Sequence, residues 1–235
     1  MPRKSDFCPK PLMRIAALVA AVNLCACTAV QVTVPQDIVA SSTAMDIHGM
    51  ASIGGLFGDG NVDIGPYQVT GVHFDASDQS RWSLGIFQQH EEKSGFRFVL
   101  HGAASDWTVS CRRSNAGSTV RLFGVDGVAK QRDLHCDLRS GTRLASLDMS
   151  EDVEHVRGSM QLDGHRFAIY PYSYGNPQPG VTPSPLGFRI EKNQRSIAAV
   201  ELRSAGQLWL GNDVPQEQRA ALVAGLAAVL FDQRG

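Results

Sequence analysis

Apolar residues recur at every second position through most of this chain, and that period dictates strands. From about residue 62, Trp82, Leu84 and Ile86 alternate with their neighbours. So do Phe96, Phe98 and Leu100, then Trp107, Val109 and Cys111. Val120 and Leu122 follow, then Leu134, Cys136 and Leu138. Side chains alternate across a strand, so each run has one apolar and one polar face. Turn residues interrupt the runs roughly every 8–12 positions, the spacing of an antiparallel sandwich or barrel. The sharpest hairpin joins 156–162 to 165–170 through Asp163-Gly164, a pair suited to the positive φ that both turn residues need. Phe188 and Ile190 open a further strand, Asn193-Gln194 turns into 196–203, and Ser204-Ala205-Gly206 turns into 207–210.

Two segments depart from this pattern. Pro171, Pro177, Pro179, Pro183 and Pro185 crowd residues 171–185. Proline brings no amide hydrogen to a ladder, so this stretch reads as a loop. Tyr170, Tyr172 and Tyr174 accompany it, as a contact surface or as part of a solvated connection packed on one side. The run 220–231 has no polar side chain, and the segment from about 214 to 231 reads as a helix. Asp213 is its expected N-cap, with Pro215 in the first turn and Gln216 as capping partner at N3. A helix apolar on all sides must be buried on all sides, and about twelve residues are too few to span a bilayer. It therefore belongs inside or between sheets.

The N-terminus reads as an address. Arg3, Lys4, Lys10 and Arg14 precede a short, mostly apolar stretch over 15–26, and Leu24-Cys25-Ala26-Cys27 follows. Met13 is an alternative start to Met1. As an uncleaved helix the stretch would rise only about 18 Å, short of the ~30 Å hydrocarbon core. The segment resembles a bacterial lipoprotein signal peptide with its lipobox; an ordinary secretory signal is the alternative. The resemblance implies removal of residues 1–26 and acylation of Cys27, with chains on both thiol and amine for stable anchoring. Thr28, rather than Asp, then matches the pattern sent to the outer membrane, facing the periplasm. Processing removes four bases and one acid, so the net charge moves from -1 to -4. Of the remaining bases only Lys93, Lys130 and Lys192 are lysines. Residues 27–60 read as lipid attachment and a flexible tether, with Gly54, Gly55, Gly58 and Gly60 close together and 30–34 as a possible docked strand. A single β-rich domain follows over 61–235.

Of five cysteines, Cys8 and Cys25 leave with the signal and Cys27 takes the lipid. Cys111 and Cys136 remain, an even number in an exported chain, which points to a disulfide. A metal or redox pair is the alternative, but there is no CxxC spacing.

Phe188-Arg189-Ile190, residues 197–202, Gln207-Leu208-Trp209-Leu210 and the helix 219–231 together resemble the tubby-like and phospholipid-scramblase barrel group. That resemblance implies a barrel closed around a central C-terminal helix.

No GxSxG, HExxH, EF-hand or phosphate-loop spacing occurs, and there is no basic excess for nucleic acid. No cofactor or metal is expected. Asp133, His135 and Asp137 share one face of a strand, as do His73 and Asp75, and a carboxylate beside an imidazole suits acid–base or metal work. An outward polar row on a half-buried strand is the ordinary alternative. The functional expectation is a non-enzymatic, lipid-anchored envelope protein that binds an envelope partner or an apolar ligand. The alternative is an envelope hydrolase or metal-dependent enzyme, which needs two or more of the seven histidines to converge in a pocket. A lipid carrier needs an apolar cavity, which a helix filling the barrel would remove.

Overall fold

The computed structural model describes residues 36–50, 61–122, 125–152, 155–172, 185–202 and 206–233. All of them belong to the unit Thr33–Gly235. A short helix, Gln36–Val39, leads into β1 (Ser42–His48), β2 (Val62–Ile64), β3 (Tyr67–Phe74) and β4 (Asp78–Leu84). Three long strands follow: β5 (Phe87–His101), β6 (Trp107–Leu122) and β7 (Val125–Ser140). Then come β8 (Arg143–Glu151), β9 (Val156–Leu162), β10 (His165–Tyr172), β11 (Gly187–Lys192), β12 (Arg195–Glu201) and β13 (Gln207–Gly211). The terminal helix is Gln216–Asp232.

The strands form a closed 12-strand antiparallel barrel. Sequence neighbours pair around the ring, except that β3 pairs with β5 and β4 hangs outside on β5 alone. Pairing of β1 with β13, Ser42 opposite Gly211 and Asp46 opposite Gln207, closes the wall. The tight turns follow the sequence: Asp163 and Gly164 have φ of 51° and 77°, and Asn193 and Gln194 have 53° and 65°.

The terminal helix fills the interior. Every residue from Ala220 to Phe231 is buried, as the apolar composition requires. Inward residues of alternate strand positions surround it, among them Phe96, Phe98, Leu134, Leu147, Met160 and Phe167. Phe231 meets Phe98 edge-on with ring centroids 5.0 Å apart. At Gly225 a methyl group would stand 2.9 Å from the Met160 sulfur, so the wall approaches the helix closely there.

Arginines hold both ends. At the start, Arg143 donates from Nη1 to the Glu217 carbonyl at 2.6 Å, pairs with Asp163 and lies over the Trp107 ring. At the finish, Arg113 Nε and Nη2 donate to Asp232 Oδ1 and carbonyl oxygen, each at 2.6 Å. Arg132 Nη2 adds a contact to Asp232 Oδ2 at 2.9 Å. A carboxylate at a helix C-terminus opposes the helix dipole. Two guanidiniums reverse that balance, and the Arg113–Asp232 pair is almost dry, with side chains 10% and 6% exposed.

Three expectations change. The expectation of a flexible tether over 27–60 does not hold for its described part: Gln36–Val39 is helical and Ser42–His48 is a barrel strand. Met45 and Ile47 alternate into the core, which a tether would not do. The rest of it, residues 27–35 and 51–60, lies outside the described residues, as does the lipobox. The helix N-cap is Pro215, not Asp213, and has no side-chain cap bond. Pro215 keeps its neighbours from winding further back, and the Asp213 carboxylate is 3.1 Å from Arg195 Nη1 instead. Gln216 is thus the first helical residue rather than N3.

Candidate functional site

The helix occupies the barrel interior, and a wide concavity lies on the outer wall. An open trough of about 1050 Å³ crosses β5 to β10. Strand register places its floor in two rows. One row runs Arg112, His135, Asp148, Ser159, Ala168 across β6 to β10. The other runs Lys93, Ser114, Asp133, Ser150, Arg157 across β5 to β9. The inward partners of these residues, such as Cys136, Leu147 and Met160, are buried, which fixes both rows on the outside. Serines and an alanine make the floor low, and long basic side chains stand around it.

Most charges on this wall are already matched. His135 Nδ1 is 2.6 Å from Asp148 Oδ1, and its Nε2 is 3.6 Å from Asp137 Oδ1. Arg112 Nη2 is 3.5 Å from the other Asp137 oxygen. Lys93 meets Glu91 at 2.8 Å, and that hydrogen bond raises the ammonium pKa above its ordinary value. Gln131 donates to Asp133 at 2.9 Å. Arg157 and Arg166 differ. Both line the trough, both are exposed, and neither has an ion pair among the described residues. Arg157 and Arg166 lie on adjacent strands, on either side of the Ser159–Ala168 pair. By strand rise they stand roughly 13 Å apart along the wall. Unmatched guanidiniums beside hydroxyls suit anionic oxygens, which arginine grips in a planar, bidentate way.

The anticipated tyrosine surface separates. Tyr170 is exposed and lines the trough. Tyr172 is buried, with its hydroxyl donating to the Val200 carbonyl at 3.1 Å. Its ring folds over Gly187, where a methyl group would overlap the phenol oxygen. β10 runs on through Pro171 to Tyr172, so the loop begins later than the prolines imply. Tyr174 lies outside the described residues, as does Cys27. Cys111 and Cys136 face each other across β6 and β7 with Cα atoms 4.0 Å apart, a disulfide-capable pair inside the wall.

The Asp133, His135, Asp137 face points outward, and Asp148 of β8 joins it. The seven histidines do not converge; His135 alone lines the trough. His101 stands elsewhere, with Nε2 2.9 Å from Thr70 Oγ1 and Nδ1 3.0 Å from Asp106 Oδ2. That order can polarise a hydroxyl, but on a wall where the His101 and Asp106 side chains are 44% and 58% exposed. His73 and Asp75 are 3.8 Å apart on β3 and just beyond it. No group of three His, Cys, Asp or Glu among the described residues is arranged to hold a metal ion. No helix among the described residues is long and apolar enough to cross a membrane. No family model, curated protein or solved structure matches this chain.

Proposed function

We propose that this chain is a lipid-anchored cell-envelope binding module, held through Cys27 at the outer membrane and facing the periplasm. Its trough takes an anionic ligand, presented by an envelope partner, with phosphate or carboxylate oxygens and hydroxyls. One observation carries the ligand chemistry: Arg157 and Arg166 stand at the trough without ion-pair partners among the described residues, while the neighbouring charges are matched. Tyr170 and the serine floor add a stacking surface and hydroxyl donors. The address supports the compartment, and the opposed Cys111 and Cys136 suit an oxidising one. A guest inside the barrel, as in a lipid carrier, would compete with twelve buried helix residues, Ala220 to Phe231. The outer wall is therefore the working surface.

The test is a calorimetric titration of the full chain with two probes, glycerol 3-phosphate and dihexanoyl phosphatidylglycerol below its micelle concentration. Binding that is weakened tenfold or more by Arg157→Ala with Arg166→Ala supports the trough. Equal binding by the double variant refutes it. For the anchor, Cys27→Ala should move the protein out of the membrane fraction; unchanged retention would refute lipidation.

A further inference from the structure

β5, β6 and β7 outrun the barrel. β3, over Gln68 to Phe74, pairs with β5 only over Phe96 to His101, whereas residues 87–93 of β5 pair with β4 and β6. β8 stops opposite Arg132, leaving the first residues of β7 paired with β6 alone. Four strands therefore continue as an arm roughly 25 Å beyond the wall, counting strand rise. All seven residues of β4 are exposed.

The far end of this arm is apolar. Leu84 and Phe87 are cross-strand partners and Phe87 pairs with Val120, so the three share one face, with Trp82 one step behind. Trp82, Leu84, Ile86 and Phe87 are 53%, 72%, 45% and 52% exposed. Large apolar groups clustered at a tip usually mark a contact. Charge selects the occupant. Residues 79–90 and 115–122 contain no carboxylate, and the one on the arm's stretch of β7, Asp126, stands opposite Arg121 in the register. Arg81 and Lys130 are in register with His90 and Gly117 on the opposite face, and neither base has an ion pair among the described residues. A second copy packed end to end would set these cations against their own counterparts. An anionic surface would neutralise them.

We propose that the end of the arm inserts into the headgroup region of an anionic lipid bilayer, with Leu84, Ile86 and Phe87 deepest and Trp82 at the interface. Tryptophan favours that depth because one edge is apolar and the other can hydrogen-bond. Arg81 and Lys130 form a cationic collar behind it. This contact is separate from both the trough and the lipid on Cys27.

The molecule carries its own reporter. Of three tryptophans, Trp107 and Trp209 are buried and only Trp82 is exposed. The full chain is mixed with vesicles of phosphatidylethanolamine and phosphatidylglycerol, with and without brominated acyl chains. The expected result is a blue shift of tryptophan emission and quenching by bromine, both lost in Trp82→Phe. Leu84→Asp with Phe87→Asp should lower vesicle partitioning about a hundredfold, from the apolar burial forfeited. This variant has the same N-terminus, so any pull of that segment cancels, and its unchanged thermal melt verifies folding. Trp82 left unquenched, whether or not the chain sediments with vesicles, overturns the proposal. A shift that grows with protein concentration and needs no vesicles also overturns it, in favour of a second copy.

Discussion

One strand spans both halves of this molecule. At one end of β5, Phe96 and Phe98 are 2% and 1% exposed; at the other, Phe87 is 52% exposed. Phe87 lies nine positions before Phe96 on a strand whose pairing with β6 has no register shift, so it is on the opposite, outward face that carries Lys93. The inward face has a second layer, the terminal helix, with Phe231 edge-on to both Phe96 and Phe98, while the outward face that carries Phe87 has no such layer among the described residues. Alternation specifies a strand, and a second layer determines whether its apolar face is core or contact surface. Barrel and arm should therefore respond differently to the same kind of substitution.

The largest contrast comes from a carboxylate under the wall. Leu226→Asp should abolish soluble folding, because a buried unpaired charge has no partner there. An unaltered thermal melt would show that the helix is peripheral. Next is the latch at the helix end. Asp232→Ala removes the carboxylate shared by Arg113 and Arg132 and should cost about 3–5 kcal/mol in urea denaturation. A loss below about 1 kcal/mol would mean that the clamp does not hold the helix. Third, oxidised Cys111 and Cys136 close a loop with a separation of 25 residues. Reduction should lower stability by about 3 kcal/mol, with two thiols appearing on titration.

At the arm the same charge should do little. Leu84→Asp is expected to change folding stability by no more than about 0.5 kcal/mol, while reducing vesicle binding. A large loss of stability would make the tip part of the fold and erase the contrast. The smallest effect concerns Glu201 at the end of β12. Burial raises its pKa above the ordinary glutamate value. A raised folded pKa means that its contribution is most favourable below the unfolded pKa and is lost as pH rises through the folded one. Glu201→Gln should thus give a small gain at neutral pH that fades on acidification. A gain that is constant with pH would contradict this origin.

Much of the fold is legible in the sequence because it is local. Period two marks the strands, Asp163-Gly164 and Asn193-Gln194 mark the turns, and the apolar run 220–231 marks a buried helix. The barrel strand at 42–48 is harder to see. Its two core residues, Met45 and Ile47, lie among small and polar neighbours. The site is less legible. Its outward positions follow from alternation, but Lys93, Arg157 and Arg166 come together only through the register of six curved strands. The tyrosine surface divides for a related reason: Gly187, 15 positions after Tyr172 in sequence but opposite it in the sheet, leaves room for that ring.

The most direct measurement is native mass spectrometry of the full chain released from the cell envelope, beside the same chain carrying Arg157→Ala and Arg166→Ala. If the outer wall is the working surface, the first should retain an added anionic mass that the second loses, with both barrels equally folded. The same mass retained by both chains, or an uncharged lipid released only on unfolding, would place the ligand elsewhere and contradict the account.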